Sequence, residues 1–187
     1  GFIDAIGIEY FLQMLNEEVE RLKGNLVEES EETDQPLLDV STAIDDKIVE
    51  DEELKIEIHK KINTIDSYEK LVEIKEEIKD RFGLVNEVLD IYMYEEWFEK
   101  LAKKLKISNV RQSKNSIEIS FPGEVVEKLD TEEIFMDAFY VTNMFRFISR
   151  GSNLVIVLDI IKLEKHPVYY LVELLDKIYD KFGDSID

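Results

Sequence analysis

Apolar side chains at Ile8, Phe11, Leu12, Leu15, Val19 and Leu22 recur at the spacing of one helical face, which predicts an amphipathic helix over residues 3 to 23, closed by Gly24. The pattern then stops. Residues 25 to 35 hold Glu28, Glu29, Glu31, Glu32 and Asp34 with almost nothing to bury, and read as an acidic linker. From Pro36 the period becomes two, with Leu38, Val40, Thr42 and Ile44 on one side, as in a short edge strand.

Helical spacing returns after Asp51, where Leu54, Ile58, Ile62 and Ile65 form one stripe. Asp66, Ser67, Tyr68 and Glu69 have the form of a capping box, with Asp66 as the capping side chain. They open a helix over residues 67 to 82 that buries Leu71, Ile74, Ile78 and Phe82, and Gly83 supplies the left-handed residue that ends it. A further helix is expected from Asn86 to Lys106, with Leu89, Tyr92, Met93, Trp97, Leu101 and Leu105 around a wide stripe. These three helices should form a small bundle.

Beyond Ile107 alternation dominates: Ile117, Ile119 and Phe121 are interleaved with Glu118 and Ser120, after a turn at Ser113, Lys114 and Asn115. Asp130 to Glu133 is a second capping signature and opens a short helix through Phe135, Ala138 and Phe139. Phe145 and Phe147, then Gly151 to Asn153, then Leu154 to Ile161 predict a hairpin. Pro167 opens a last helix with Leu171, Leu175, Ile178 and Phe182 inward and Gly183 at its end. The class is α+β, a helical N-terminal half followed by a small, mainly antiparallel sheet covered on one face.

Charge narrows the function. With 43 acidic against 23 basic residues the net charge is -20, a field that repels polyphosphates, so direct nucleic-acid binding is not expected and a basic protein surface is the better partner. No apolar run approaches the roughly 20 residues that span a bilayer, and a soluble, cytoplasmic chain without membrane contact is expected. There is no cysteine, hence no disulfide, thiol nucleophile or thiolate zinc site. The opening Gly1-Phe2-Ile3, with no methionine, reads as a cut inside a longer polypeptide.

Catalytic chemistry finds little support. The seven glycines form no phosphate-cradling turn, so no nucleotide cofactor is expected, and the acidic stretch from Asp45 to Glu53 lacks the spacing of a calcium loop. Of the two histidines, His59 is expected to be solvated beside Lys60 and Lys61, and His166 to cap a helix. Tyr92, Tyr94, Trp97 and Phe98 read as core. One polar set has a shared geometry: Glu73, Glu77, Asp80 and Arg81 fall on the side of the 67–82 helix away from its apolar stripe, with Glu77 one turn from Arg81 and able to pair with it.

Two blocks of residues resemble a known family. Gly1-Phe2-Ile3-Asp4-Ala5-Ile6-Gly7-Ile8 with Tyr10, Met14-Leu15 and Leu22-Lys23-Gly24 is similar to the tail of the RecG-like translocation motif of the bacterial transcription-repair coupling factors. Leu71, Glu73, Glu77 and Asp80-Arg81-Phe82-Gly83, then Leu101, Ala102, Lys104, Leu105 and Ile107, resemble their C-terminal domain. Asn86 and Val88 stand where that family commonly has prolines, and Lys106 where it has glycine.

The resemblance implies residues 1–24 as the motif's tail, 25–35 as a linker and 36–187 as a C-terminal regulatory domain. It implies a non-catalytic clamp on the N-terminal UvrB-like module of the same polypeptide, an ATP-driven DNA translocase. The clamp hides a UvrA-binding surface until the translocase engages stalled RNA polymerase. Glu73, Glu77, Asp80 and Arg81 are then the interdomain-binding residues. Two other readings stay open: a free-standing acidic module that occupies a basic surface, and a hydrolase with an unrecognised carboxylate site.

Overall fold

A computed structural model describes residues 52–83 and 85–187. The helix expected at 3–23, the acidic linker and the strand after Pro36 lie outside them. The described chain divides into two compact units, residues 52–97 and 98–187.

The first unit is helical. Helix α1, Glu52–Ile62, buries Ile58 and Ile62, and Ile65 is buried just past its end. Helix α2, Tyr68–Phe82, buries Leu71, Ile74 and Ile78, the stripe that the spacing marks. Its cap is Ser67 rather than Asp66: the Ser67 hydroxyl accepts the amide N–H of Lys70 at 3.2 Å, one residue later than the capping-box pattern places it. Removing that acceptor leaves an amide at the helix start without its partner, so Ser67→Ala is expected to cost about 1 kcal/mol, read as a lowered urea midpoint. Gly83 closes the helix at φ 80, donating its N–H to the Lys79 carbonyl at 2.7 Å.

Helix α3, Glu87–Lys104, starts where the Asn86 side chain accepts the Leu89 amide at 2.8 Å. It runs on into the second unit. It stops two residues short of the expected Lys106, which takes a left-handed φ of 55. Within the first unit Lys75 of α2 pairs with Asp90 of α3 at 2.7 Å, and His59 of α1 meets Tyr92 of α3.

The second unit is built on four strands, β1 Asn109–Gln112, β2 Ser116–Phe121, β3 Phe145–Arg150 and β4 Asn153–Asp159, in the order β1-β2-β4-β3 and antiparallel throughout. The β3–β4 hairpin turns at Gly151, whose φ of 64 favours glycine. Strand β4 then inserts beside β2, placing Ile117 opposite Leu158, Ile119 opposite Ile156 and Phe121 opposite Leu154. On this face helix α5, Thr131–Val141, lies near β3, with the Phe135 and Phe147 rings 5.3 Å apart. A single-turn helix α4, Gly123–Val126, precedes it.

Strand β4 is enclosed on both faces, so that Leu154 through Leu158 are all buried. Val155 and Val157 point to the other face. There the register sets an ion-pair lattice: Arg150 of β3 reaches Glu118 of β2 at 3.2 Å, across β4, and Arg146 grips Asp159 with two bonds of 2.8 and 3.0 Å. Arginine stems cross above the valines, so a polar face still encloses apolar side chains.

Helix α6, Pro167–Ile186, has Pro167 in its first turn, and the His166 ring accepts the Val168 amide at 3.2 Å, the expected capping role. Gly183 does not end it. The helix continues to Ile186, Gly183 is buried within it, and a methyl there would meet the Tyr179 ring at 2.8 Å. Phe182 is only half-buried, whereas Ile186 is fully enclosed.

Candidate interdomain docking site

Helix α2 turns its apolar stripe inward, so the arc that carries Glu73, Glu77, Asp80 and Arg81 points outward by geometry alone. Across that arc the four residues fall into two pairs. Glu77 and Arg81 lean to the α1 side and are engaged there. Lys61 of α1 forms a close ion pair with Glu77, and Arg81 donates to Glu57 of α1 at 2.6 and 3.5 Å. The pairing of Glu77 with Arg81 is therefore not made, although Glu77 still favours the guanidinium electrostatically.

Glu73 and Asp80 lie on the opposite side of the arc and are exposed. Glu73 takes a contact at 3.5 Å from Lys70, one turn before it on the same helix. Asp80 makes no ion pair with any other described residue. Glu57 and Lys61 of α1 complete this face, which helical spacing along α2 alone does not show. Their i, i+4 spacing on α1 was visible, but nothing local says which neighbouring helix an arginine will meet.

The electrostatics follow these contacts. The Arg81 hydrogen bond holds the Glu57 carboxyl below its usual range, and Glu57 raises Arg81 in return. Both groups are open to water, so the pair fixes orientation more than it stabilises. The face as a whole carries Glu57, Glu73, Glu77 and Asp80 against Lys61 and Arg81, an anionic surface with two cations already committed. Such a set suits reversible contact with a basic surface.

Chemistry of other kinds has little to work with. Among the described residues no three His, Asp or Glu side chains gather as a metal site, and no helix is long and apolar enough to cross a membrane. His59, expected to be solvated, is instead 7 % exposed: it faces into the first unit, where its Nδ1 lies 3.1 Å from the Tyr92 hydroxyl and the two rings meet edge to face. Lys60 and Lys61, its neighbours in sequence, are on other sides of the turn. Tyr92, Trp97 and Phe98 are buried and Tyr94 half-buried, which agrees with a core role.

Residues 38–132 match the model of the TRCF domain, about half of the chain and all of the surface just described. The chain belongs to the TRCF domain family. Among curated relatives it is similar to the transcription-repair-coupling factor of Borreliella burgdorferi, 30% identical over 134 residues, and to that of Staphylococcus epidermidis, 31% identical over 143 residues. The transcription-repair-coupling factor of Bacillus subtilis is 22% identical over 135 residues.

Each match covers 72% of this chain but 12% of the relative, so this TRCF chain spans about one eighth of those proteins. Its fold is that of a crystal structure of the C-terminal domain of a transcription-repair coupling factor. The TM-score is 0.65 with 23% identity, over 77% of this chain and 89% of the other.

Proposed function

We propose that this chain is a non-catalytic, autoinhibitory domain of a transcription-repair coupling factor. It docks through the α2 face on the N-terminal UvrB-like module of the same polypeptide, where it masks a UvrA-binding surface. Release follows when the translocase engages stalled RNA polymerase on DNA. Membership of the TRCF family carries the reading, and two features support it: the net charge of -20 and the anionic face on α2. Tethering in one polypeptide lets such a polar contact hold through effective concentration and still open.

The two sides of the α2 arc have different parts in this reading. Glu77 and Arg81, tied to α1, set the rigid edge of the surface, while Glu73 and Asp80 are the groups presented to a partner's cations. Glu77→Ala with Asp80→Ala in the full-length polypeptide is expected to raise its affinity for UvrA by up to about thirtyfold, given that a lost interfacial charge pair costs roughly 2 kcal/mol. Asp80→Lys alone should act in the same direction without disturbing any ion pair among the described residues. UvrA binding measured by pull-down and titration decides it. Affinity unchanged by both variants, with thermal melting of the domain also unchanged, would dismiss the α2 face as the clamp.

The alternative, an acidic module that acts on a basic surface of another protein, shares the charge but not the tether. It predicts that the isolated domain binds its target as tightly as the full-length chain does.

A further inference from the structure

Helix α5 is apolar on both sides. Ile134 and Ala138 face inward and are fully buried, yet Phe135, Met136, Phe139 and Tyr140 on the outer side are 52, 65, 66 and 78% exposed. Of the eight large apolar residues left exposed in the described chain, these four fall within six consecutive positions. A helix with apolar residues on its outer as well as its inner side ordinarily sits between two packed layers, and the described residues supply only one of them.

The exposed side has a defined shape. Phe135 with Phe139, and Met136 with Tyr140, are i, i+4 pairs, two parallel ridges with a groove between them, the relief into which a second helix packs. Its supports are fixed. Phe135 rests on the Phe147 ring, the Lys177 ammonium lies 4.7 Å above the Tyr140 ring, and Lys181 of α6 binds both Glu133 and Asp137 at 2.9 Å, fastening α5 to α6. Aromatic side chains held this way are the usual anchors of protein interfaces, because little side-chain freedom is lost on contact.

Charge selects the occupant. Helix α5 bears Glu132, Glu133 and Asp137 and no basic residue. Lys181 holds Glu133 and Asp137 and Lys177 sits at the far end over Tyr140, so the face stays net negative, with Glu132 exposed and in line with Phe135, Met136 and Phe139 at i+3, i+4 and i+7. A second copy of a chain with a net charge of -20 would meet repulsion.

We propose that the outer face of α5 is a docking ridge for an amphipathic helix of a partner protein, one whose apolar stripe is flanked by Lys or Arg. The surface is separate from the α2 face, on another helix and in the other unit, so each can fail without the other.

The test uses the full chain and two synthetic helical peptides with the same leucine stripe, one with lysine and one with glutamate at the flanking positions. Binding is followed at the methionine methyl groups by NMR, and Met136 is exposed while Met93 is fully buried. The lysine peptide is expected to shift Met136 and not Met93, to bind at least about tenfold more tightly than its glutamate twin, and to weaken as salt is raised. Phe139→Ser with Tyr140→Ser should abolish the shift while leaving the melting temperature intact, and Met136→Ser should by itself weaken binding of a fluorescently labelled lysine peptide followed by anisotropy. Equal binding of both peptides, no shift at Met136, or binding indifferent to these substitutions would overturn the proposal. So would sedimentation that shows wild-type dimers lost in the double variant, since the occupant would then be a second copy.

Discussion

Lowering the pH from 6.5 to 4 is expected to remove about 3 kcal/mol of folding stability through His59 alone. Burial, and secondarily the Lys55 ammonium, hold its imidazole at a pKa of about 4 in the folded chain, against 6.5 in the unfolded one. The unfolded state therefore binds a proton that the folded state refuses. This contribution is complete above pH 6.5 and is lost as the pH falls through 4. Glu99 acts in the opposite sense, because burial raises its pKa and favours its protonated form in the fold. Glu57 and Asp159, both lowered by arginine hydrogen bonds, begin to add their losses as the pH falls below their ordinary values of 4.5 and 3.8.

Urea titrations across that range measure the slope, and His59→Gln should flatten it. A wild-type midpoint that stays constant from pH 6.5 to 4.5 would show that His59 is not held neutral.

Phe121→Ala should destabilise the second unit by about 3–5 kcal/mol, the range for emptying a fully buried phenylalanine site. Phe121 has no exposed surface, ends β2 opposite Leu154, and shares its face with Ile119 and Ile156. The sheet is hydrogen-bonded on both sides of β4, so its strands are held and a void there closes poorly. Against a total stability of about 5–15 kcal/mol for an ordinary domain, the loss leaves the fold marginal. The urea midpoint should fall with little change in slope, whereas Ile161→Ala, at a position 71% exposed, should leave it nearly fixed. A drop of less than about 1 kcal/mol for Phe121→Ala would mean that this layer repacks freely.

Much of the fold was legible where a few adjacent residues carry the physics. Gly83 ends α2 because only a residue without Cβ takes that left-handed turn cheaply, and Pro167 starts α6 because the first turn needs no amide from it. The hairpin around Gly151 and the Asp130 cap are of the same kind. Even local signals compete, however. Asp66 and Ser67 both fit a cap, and which one docks depends on where α2 begins, a choice made by the burial of Leu71 and Ile74.

The candidate site was legible to the same depth. Spacing placed Glu73, Glu77, Asp80 and Arg81 on one outward arc, since helical geometry fixes direction from sequence distance. It did not place Glu57 or Lys61 beside them, because those contacts span 24 and 16 positions and arise only when α1 lies against α2. His59 was misjudged for the same reason: its basic neighbours in sequence point elsewhere, and Tyr92, 33 residues on, takes its place among them.

Among the described residues, then, the sequence by itself determined the longer helices and most of the strands, most of their caps and turns, the α+β class, and with them the anionic charge and the direction of the α2 face. These are set by propensity, periodicity and composition, which act over a few residues or over the whole chain at once. Tertiary structure decided the insertion of β4 between β2 and β3, the continuation of α6 past Gly183, the partners of Glu77 and Arg81, the burial of His59 and the exposure of the outer side of α5. Each of those depends on which surfaces meet, and desolvation and ion pairing take their values only once distant segments have come together.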